Sequence, residues 1–254
     1  MSTETSIETG VGATLSLVCA QTVAGAEMAV LRGAVGVGKS FALDRIAAQM
    51  TEQGVLVVKV TATEATAGNV NAFLRAILGP YFTETGSGSE AEEAVWRLLQ
   101  GYPFTSGGPK VLLIVDEAQK LAGRVLETIR GLWDRGDAAR LGDETAPCFG
   151  CVLVGNPTFM GKGGAQRTAS FEPLLSRLSF NMILPRPSRS EFRAFAATLF
   201  QDEARAEALV DGGLAYGHFR APATAARSAK LLAGDGEVTV AHIRQAFKMM
   251  GGKA

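Results

Sequence analysis

The octapeptide at residues 33–40, GAVGVGKS, satisfies every position of the phosphate-binding loop pattern G-x-x-x-x-G-K-[ST]. The apolar stretch Met28–Leu31 predicts a short buried strand just before it, and the pattern from Phe41 to Met50 predicts a helix just after it. A strand, a glycine-rich loop and a helix in this order are the context in which the motif binds phosphate, which argues against a chance glycine-rich turn. The chain is therefore expected to build a parallel sheet around a phosphate site.

The residue types in this loop suit the chemistry of phosphate binding. Glycines let successive backbone N–H groups wrap closely around a phosphate. Lys39 supplies positive charge to the β- and γ-phosphates, Ser40 offers a hydroxyl to Mg²⁺, and the helix that follows points its positive end at the anion. The residues expected to bind the nucleotide are Gly33, Ala34, Val35, Gly36, Val37, Gly38, Lys39, Ser40 and Phe41.

A second informative stretch is Val111–Glu117, an apolar strand that ends in two carboxylates. Open parallel sheets place their ligands at the carboxyl ends of strands. Asp116 is expected to hold Mg²⁺, and Glu117 to orient and deprotonate an attacking water. An Asp-Glu pair could also be a solvated strand end, but the phosphate loop upstream favours the catalytic interpretation.

Polar features also follow the next predicted strands. The strand from Phe149 to Val154 ends in Gly155-Asn156-Pro157, where Asn156 could contact the water or the γ-phosphate, or could simply form an Asn-Pro turn. The basic segment 161–167 could be a surface loop or a contact to DNA or to a neighbouring subunit. Ser176-Arg177 ends a short predicted helix before the strand Phe180–Leu184.

Charge is balanced over the whole chain but uneven along it. The 25 Lys and Arg residues match 25 Asp and Glu residues, so a single subunit is not expected to bind a polyanion strongly. Residues 1–158 carry 12 basic and 17 acidic side chains, and residues 159–254 carry 13 and 8. This distribution allows a basic face in the C-terminal part.

Several functional classes are disfavoured. No apolar run is long enough to span a bilayer, and residues 1–10 lack the basic start of a signal peptide, so we expect a cytoplasmic protein with no membrane partner.

Cys148 and Cys151 form a C-x-x-C pair, which could be redox-active or half of a zinc site. Because there is no second pair and Cys151 begins a predicted buried strand, an inert structural role is expected.

The chain is predicted to contain a flexible tail at residues 1–10, an α/β nucleotide-binding domain at 11–186 and a helical lid domain at 187–254. Pro185 and Pro187 mark the boundary, and Ser188 with Glu191 forms a capping box for the first lid helix. The expected fold class is α/β, with a parallel five-stranded sheet flanked by helices and a small C-terminal all-helical lid.

These motifs together resemble the AAA+ ATPases over almost the whole chain. Within that class, three strings are similar to the DNA-transposition regulators of the phage Mu B protein and TnsC type. The strings are Ala20-Gln21-Thr22, Asp116-Glu117-Ala118-Gln119, and Gly155-Asn156-Pro157 followed by a basic loop and Leu175-Ser176-Arg177. Such regulators are ATP-dependent DNA-binding proteins that polymerise on DNA and activate a transposase.

The resemblance implies ATP and Mg²⁺ as cofactors and gives roles to individual residues. Asn156 matches the first sensor, and Arg177 matches an arginine finger that acts on the ATP of a neighbouring subunit. Arg227, within a lid helix, best matches the second sensor, with Arg220 as a rival. The implied assembly is a homo-oligomer, a ring or a helical filament with ATP at subunit interfaces, and the implied partners are double-stranded DNA and a transposase.

One departure from the Mu B protein is that only a short segment precedes the first strand, so DNA contact would have to come from the ATPase itself. The residues expected to face DNA are Lys59, Thr61, Thr63, Lys120, Arg124 and Lys162. Lys59 could instead simply end a strand, and Lys120 and Arg124 could lie on a solvated helix face. The alternative functions are an ATP-switched scaffold of the secretion type, or a loader for a helicase or clamp.

Overall fold

The computed structural model describes residues 7–79, 88–100, 110–142, 149–160 and 171–251, with the backbone alone for 137–142. The strands are β1 (Met28–Arg32), β2 (Leu56–Thr61), β3 (Val111–Asp116), β4 (Phe149–Gly155) and β5 (Leu178–Ile183). The helices are α1 (Gly10–Gly25), α2 (Lys39–Glu52), α3 (Glu64–Ala67), α4 (Val70–Leu78), α5 (Gly88–Leu99), α6 (Gly123–Gly142), α7 (Arg189–Ala197), α8 (Glu203–Tyr216), α9 (Arg220–Ala233) and α10 (Val240–Met249). A 3₁₀ turn spans Ala118–Lys120, and residues 171–175 are helical.

The five strands form one parallel sheet in the order β2-β3-β4-β1-β5, which confirms the predicted fold class. Strands β3 and β4 are central and buried along their whole length, as expected for continuous apolar runs covered on both faces. The register pairs Thr61 with Asp116 and Arg32 with Gly155. These residues end their strands, so the polar residues that follow β3 and β4 begin from the same edge of the sheet.

The chain divides into two compact units. The sheet unit comprises residues 15–32 and 40–183, and the helical unit comprises the N-terminal segment up to Thr14, residues 33–39 and residues from Leu184 onward. The division falls at 183/184, close to the predicted boundary at 186/187, but it also assigns most of the phosphate-binding loop to the helical unit. Within the helical unit, α7–α10 enclose an apolar core that includes Phe192, Leu209 and Ile243.

The segment after Glu117 differs from its prediction. The apolar residues at helical spacing after Glu117 predict one helix over Ala118–Trp133. That helix is divided, because the chain leaves the 3₁₀ turn in extended conformation at Leu121 and the N–H of Ala122 donates to the carbonyl of Ala67 (2.7 Å). The polar composition after Trp133 predicts a loop over Arg135–Pro147, which is wrong at its start, since α6 continues to Gly142. Arg135 stabilises this extension by stacking over the ring of Trp96 (4.4 Å to the centroid).

Several local predictions are confirmed by side-chain contacts. The sequence predicts Asn69 as the N-cap of a helix over Val70–Leu78, and its Oδ1 accepts from the N–H of Ala72 (3.0 Å) at the start of α4. Ser188 and Glu191 form the expected capping box at the start of α7, and Thr239, the predicted cap of a helix over Val240–Met250, caps α10. These motifs are local in sequence, so the residues that make them identify them without knowledge of the tertiary structure.

The described half of the C-x-x-C pair is buried. Cys151 lies in β4 with no exposed surface, and burial raises the pKa of its thiol to about 12. A thiol with such a pKa stays protonated and unreactive at neutral pH, in agreement with the expected structural role. Cys148 lies outside the described residues.

Within the described ranges, no three His, Cys, Asp or Glu side chains form a group that could hold a metal, and no helix is both long and apolar enough to cross a membrane.

Candidate nucleotide site

The loop before α2 has the backbone that a phosphate cradle requires. Gly36 and Gly38 have positive φ angles of 78° and 98°, a region that glycine enters without steric cost. Lys39 is only 7% exposed, and its Nζ donates to the carbonyls of Gly33 and Ala34 (both 2.9 Å). The buried ammonium group therefore curls over the loop and brings positive charge to it, which fits a phosphate ligand.

A second part of the helical unit packs on this loop. The N–H of Phe219 donates to the carbonyl of Gly36 (3.0 Å), and a Cβ added at Gly36 would lie 3.2 Å from the imidazole of His218. The Nδ1 of His218 in turn accepts from the N–H of Ala221 (3.2 Å) in the first turn of α9. The start of α9 is thus fixed to the phosphate-binding loop by a backbone hydrogen bond and by close packing.

The two arginines proposed as second sensors, Arg220 and Arg227, lie at different distances from the hydrogen bond between Phe219 and Gly36. Arg220 is the first residue of α9 and follows Phe219 directly. Arg227 lies two turns further along the same helix, about 10 Å along its axis, and its Nη2 donates to Oγ1 of Thr224 (3.3 Å). Both arginines are exposed, but only Arg220 is next to the residue that contacts the loop.

In the sheet unit, the two predicted magnesium ligands lie side by side. The Oγ of Ser40 donates to Oδ2 of Asp116 (2.6 Å). Asp116 ends β3 and is 1% exposed, and its Oδ1 accepts from the N–H of Glu117 (2.8 Å). A serine hydroxyl next to a carboxylate is an oxygen donor set that suits a hard divalent cation such as Mg²⁺.

Glu117 has a backbone conformation that is unusual for its residue type. Its φ and ψ of 56° and 31° place it in the left-handed region, at a cost of about 1–2 kcal/mol for a residue with a Cβ. The conformation ends β3 abruptly and begins the 3₁₀ turn, in which the N–H of Lys120 donates to the carbonyl of Glu117 (2.9 Å). Strained backbone of this kind persists where surrounding contacts fix it, and it occurs often at functional sites.

The side-chain oxygen of Asn156 is used to form a turn with the residues that follow it. Its Oδ1 accepts from the N–H and Oγ1 of Thr158 (3.0 and 2.7 Å) and from the N–H of Phe159 (3.1 Å). The predicted Asn-Pro turn is therefore present. The Nδ2 amino group is then the part of the side chain through which Asn156 could donate to a phosphate or a water.

Gln119 also belongs to this site, although no function was predicted for it from the sequence. Its Nε2 donates to Oε2 of Glu117 (2.8 Å), and its Oε1 accepts from the N–H of Asn156 (3.1 Å). It therefore connects the predicted base to the predicted sensor segment. The only sequence signal was its place in the string Asp116-Glu117-Ala118-Gln119, because its second partner lies 37 residues away.

Arg177 pairs within its own chain. Its Nε lies 3.2 Å from Oδ1 of Asp134, and its Nη1 donates to Oγ of Ser176 (2.7 Å). Arg130 also pairs with Asp134, so this carboxylate is shared by two guanidinium groups. The side chain of Arg177 is 37% exposed, and a partly exposed ion pair of this kind contributes little to stability.

The residues proposed for DNA contact fall into three groups. Lys59 does not end its strand, since β2 continues to Thr61; its side chain is paired with Asp44 and only 21% exposed. Lys162 lies outside the described residues. The other four are exposed and lie at the end of β2 or in the segments that follow β2 and β3, which are joined by the bond from the N–H of Ala122 to the carbonyl of Ala67. We call this group the β2–α6 surface, and it comprises Thr61, Thr63, Lys120 and Arg124.

The parallel sheet, the glycine-rich loop that opens α2, and the paired Ser40 and Asp116 define a P-loop nucleotide-binding protein of the AAA+ class. The family model described as "AAA domain" matches residues 23–162, which is more than half of the chain. The chain belongs to this AAA domain family. No protein of curated function shows a significant sequence match to it.

Solved structures confirm the fold at low sequence identity. The Aeropyrum pernix ORC2 protein, solved as ADPNP–ADP complexes, is 16% identical with a TM-score of 0.65, and the match covers 96% of this chain and 68% of that one. The Thermotoga maritima RuvB Holliday junction branch migration motor is 15% identical with a TM-score of 0.54, covering 94% and 68%. A chain of the E. coli MS115-1 HORMA:CdnC:Trip13 complex is 14% identical with a TM-score of 0.61, covering 96% and 88%.

Proposed function

We propose that this protein is an ATPase that assembles on double-stranded DNA in its ATP-bound state and regulates a transposase, with hydrolysis driving disassembly. The observation that carries the ATPase part is the 2.6 Å contact between Ser40 and Asp116 with Glu117 directly after it. The closeness of these three residues, which come from two distant parts of the sequence, supports their proposed roles as magnesium ligands and catalytic base.

In this proposal each residue has one chemical task. The loop N–H groups and Lys39 bind the phosphates, and Ser40 with Asp116 would hold Mg²⁺, which neutralises phosphate charge when bound. Glu117 accepts a proton from the attacking water, whose oxygen displaces ADP from the γ-phosphorus. The Nδ2 of Asn156 donates to the water or to the γ-phosphate.

For the second sensor, the local geometry favours Arg220 over Arg227. A cation that contacts the phosphates must lie within reach of the loop that binds them. Arg220 follows Phe219, whose N–H contacts Gly36, whereas Arg227 lies two turns away and contacts Thr224. We therefore assign the phosphate contact from α9 to Arg220.

Assembly follows from the role proposed for Arg177. A cation placed on the γ-phosphate stabilises charge that develops in the transition state. If that cation comes from the next subunit, hydrolysis requires two subunits in contact, and ATP becomes the signal for assembly. Arg177 is partly exposed and bound to Asp134 by a surface ion pair of low energy, so its release towards a neighbour would cost little.

DNA binding is proposed for the β2–α6 surface. Lys120 and Arg124 supply positive charge there, and Thr61 and Thr63 supply hydroxyl groups that can donate to phosphate oxygens. One neutral subunit would bind DNA weakly, but a polymer aligns the same surface from many subunits on one DNA molecule. The resemblance to the Mu B and TnsC regulators supports this use of the surface, and the likeness to RuvB, which is described as a Holliday junction motor, is consistent with it.

The experiment that tests this proposal uses the Glu117→Gln variant with ATP and linear double-stranded DNA in sedimentation assays. Loss of the base should leave ATP bound but unhydrolysed, so the variant should pellet with DNA and remain assembled, while Lys39→Ala should stay unassembled. A Glu117→Gln protein that stays monomeric with ATP and DNA would contradict the proposal. Assembly with ATP but without any effect of DNA would favour the scaffold alternative, and a fixed-size ring that requires a protein client would favour the loader.

A further inference from the structure

Gln119 uses both ends of its side-chain amide in the candidate site. Its Nε2 donates to Oε2 of Glu117 (2.8 Å), and its Oε1 accepts from the N–H of Asn156 (3.1 Å). The two contacts require opposite ends of the amide, because a carboxylate only accepts and a backbone N–H only donates. The orientation of Gln119 is therefore fixed, and no other side chain of this length provides both a donor and an acceptor.

The carboxylate that Gln119 contacts belongs to Glu117, whose backbone conformation is unusual for a residue with a Cβ. Glu117 is in the left-handed region, with its N–H donating to Oδ1 of Asp116 (2.8 Å). These contacts fix its backbone but leave its side-chain torsions free to rotate. The hydrogen bond from Gln119 is the described contact that restrains the carboxylate, and it leaves Oε1 of Glu117 as the oxygen that can accept a proton.

We propose that Gln119 is a positioning residue for hydrolysis, which holds the Glu117 carboxylate in its reactive orientation and couples it to the Asn156 turn. This inference rests on the proposed ATPase function. A base acts efficiently only when a third group holds it towards the proton that it removes. Through Gln119, any displacement of the backbone at Asn156 is transmitted to the base by two hydrogen bonds in series.

Two substitutions at Gln119 test whether it positions Glu117 or has only a structural role. Gln119→Glu keeps the length of the side chain and an oxygen acceptor for the N–H of Asn156, but it places a carboxylate against Glu117 in place of the donor. Gln119→Ala removes both contacts. The matched control is Gln49→Ala, which removes an exposed glutamine side chain on α2.

The first measurement is the steady-state ATPase activity of the full chain in the presence of double-stranded DNA. Both Gln119 variants should lower kcat by about 10- to 100-fold with KM changed less than about twofold, because Gln119 acts on the base and not on nucleotide binding. Gln49→Ala should match the wild type. Wild-type kcat in Gln119→Glu would overturn the inference, since that variant replaces the donor to Glu117 with a carboxylate and keeps the acceptor for Asn156.

The second measurement is a double-mutant comparison by single-turnover hydrolysis. If Gln119 acts through Glu117, adding Gln119→Ala to Glu117→Gln should produce no further loss of rate. A further loss equal to that seen in the wild-type background would show that Gln119 acts independently, and would overturn the inference. If Glu117→Gln itself hydrolyses ATP as fast as the wild type, the proposed ATPase mechanism fails instead.

The third measurement needs no nucleotide. Hydrogen–deuterium exchange of the free protein should be faster at residues 155–160 in Gln119→Ala than in the wild type, because the N–H of Asn156 loses its acceptor. Gln119→Glu should keep this segment protected. Equal exchange in Gln119→Ala and wild type would overturn the coupling to Asn156, whatever the outcome for hydrolysis.

Discussion

The hydroxyl of Ser40 lies 2.6 Å from the carboxylate of Asp116, although 76 residues separate them in the sequence. Ser40 is at the start of α2, and Asp116 is at the end of β3, which lies between β2 and β4 in the sheet. Both are oxygen ligands of the kind that Mg²⁺ prefers. Their proximity is the strongest structural support for a magnesium–nucleotide site in this protein.

This pairing predicts the effect of Ser40→Ala. In the presence of Mg²⁺ the variant should bind ATP about 10- to 100-fold more weakly than the wild type, because the hydroxyl ligand is gone. When Mg²⁺ is chelated, the difference in ATP affinity should be much smaller. Titration with a fluorescent ATP analogue, with and without EDTA, measures both values. An equal loss under the two conditions would place the role of Ser40 in the loop structure instead of in metal binding.

The proposed role of Arg177 predicts complementation between two inactive variants. Arg177→Ala and Glu117→Gln should each hydrolyse ATP very slowly alone. When they are mixed with DNA, some interfaces join an intact Glu117 to an intact Arg177, so activity should recover to a substantial fraction of the wild-type rate. A mixture no more active than its components would show that Arg177 does not act on a neighbouring subunit.

The contact between Phe219 and Gly36 predicts which arginine of α9 is the second sensor. Arg220→Ala should reduce kcat/KM for ATP about tenfold or more, since a charged contact to phosphate is lost, whereas Arg227→Ala should stay within about twofold. The two variants remove the same side chain from exposed positions of the same helix, so each controls for the other. The reverse result would restore Arg227 as the sensor.

Glu191 predicts a pH-dependent contribution to stability. It is partly buried, which by itself raises its pKa, but hydrogen bonds from Ser188 and from the N–H of Gly10 outweigh burial and hold the pKa below its ordinary value. Because the folded-state pKa is lowered, this contribution is fully present above the pKa of a free glutamate, about 4.3, and is lost as pH falls below it.

Thermal unfolding at two pH values measures this contribution. Glu191→Gln should lower stability by about 1 kcal/mol at pH 7 and by clearly less at pH 3, where the wild-type carboxylate is itself protonated. Glu203→Gln, in the exposed first turn of α8, is the control. If Glu191→Gln lowers the free energy of unfolding equally at both pH values, the charge of the Glu191 carboxylate does not contribute to the cap.

The sequence was sufficient wherever a residue acts on its near neighbours. The glycine-rich loop, the strand-end carboxylates and the caps at Asn69 and Ser188 are all defined within a few residues, and the apolar runs predicted the parallel sheet. It was not sufficient where the partner is distant and no motif identifies both residues, as motifs do for Ser40 and Asp116. Gln119 contacts Asn156 across 37 residues, and Arg177 contacts Asp134 across 43. Nothing in the spacing of these residues indicates that they meet.

The same distinction explains the two errors in the prediction for residues 118–147. The break at Leu121 depends on a hydrogen bond from the neighbouring Ala122 to Ala67, and the extension beyond Arg135 depends on Trp96 of α5. Both are tertiary contacts that override local preference. The polar composition after Arg135 therefore suggested a loop where packing maintains a helix.

The central claim is that ATP switches this protein into an assembly on DNA. Negative-stain electron microscopy combined with a DNA gel shift tests it most directly, using ATP, ADP and a non-hydrolysable analogue, with Lys39→Ala as the nucleotide-binding control. Lys120→Glu and Lys248→Glu make the same charge change on the β2–α6 surface and on α10, respectively. We predict filaments or rings on double-stranded DNA only with ATP or the analogue, weakened by Lys120→Glu and unaffected by Lys248→Glu. Assemblies that form equally well without DNA, or with ADP, would contradict the claim.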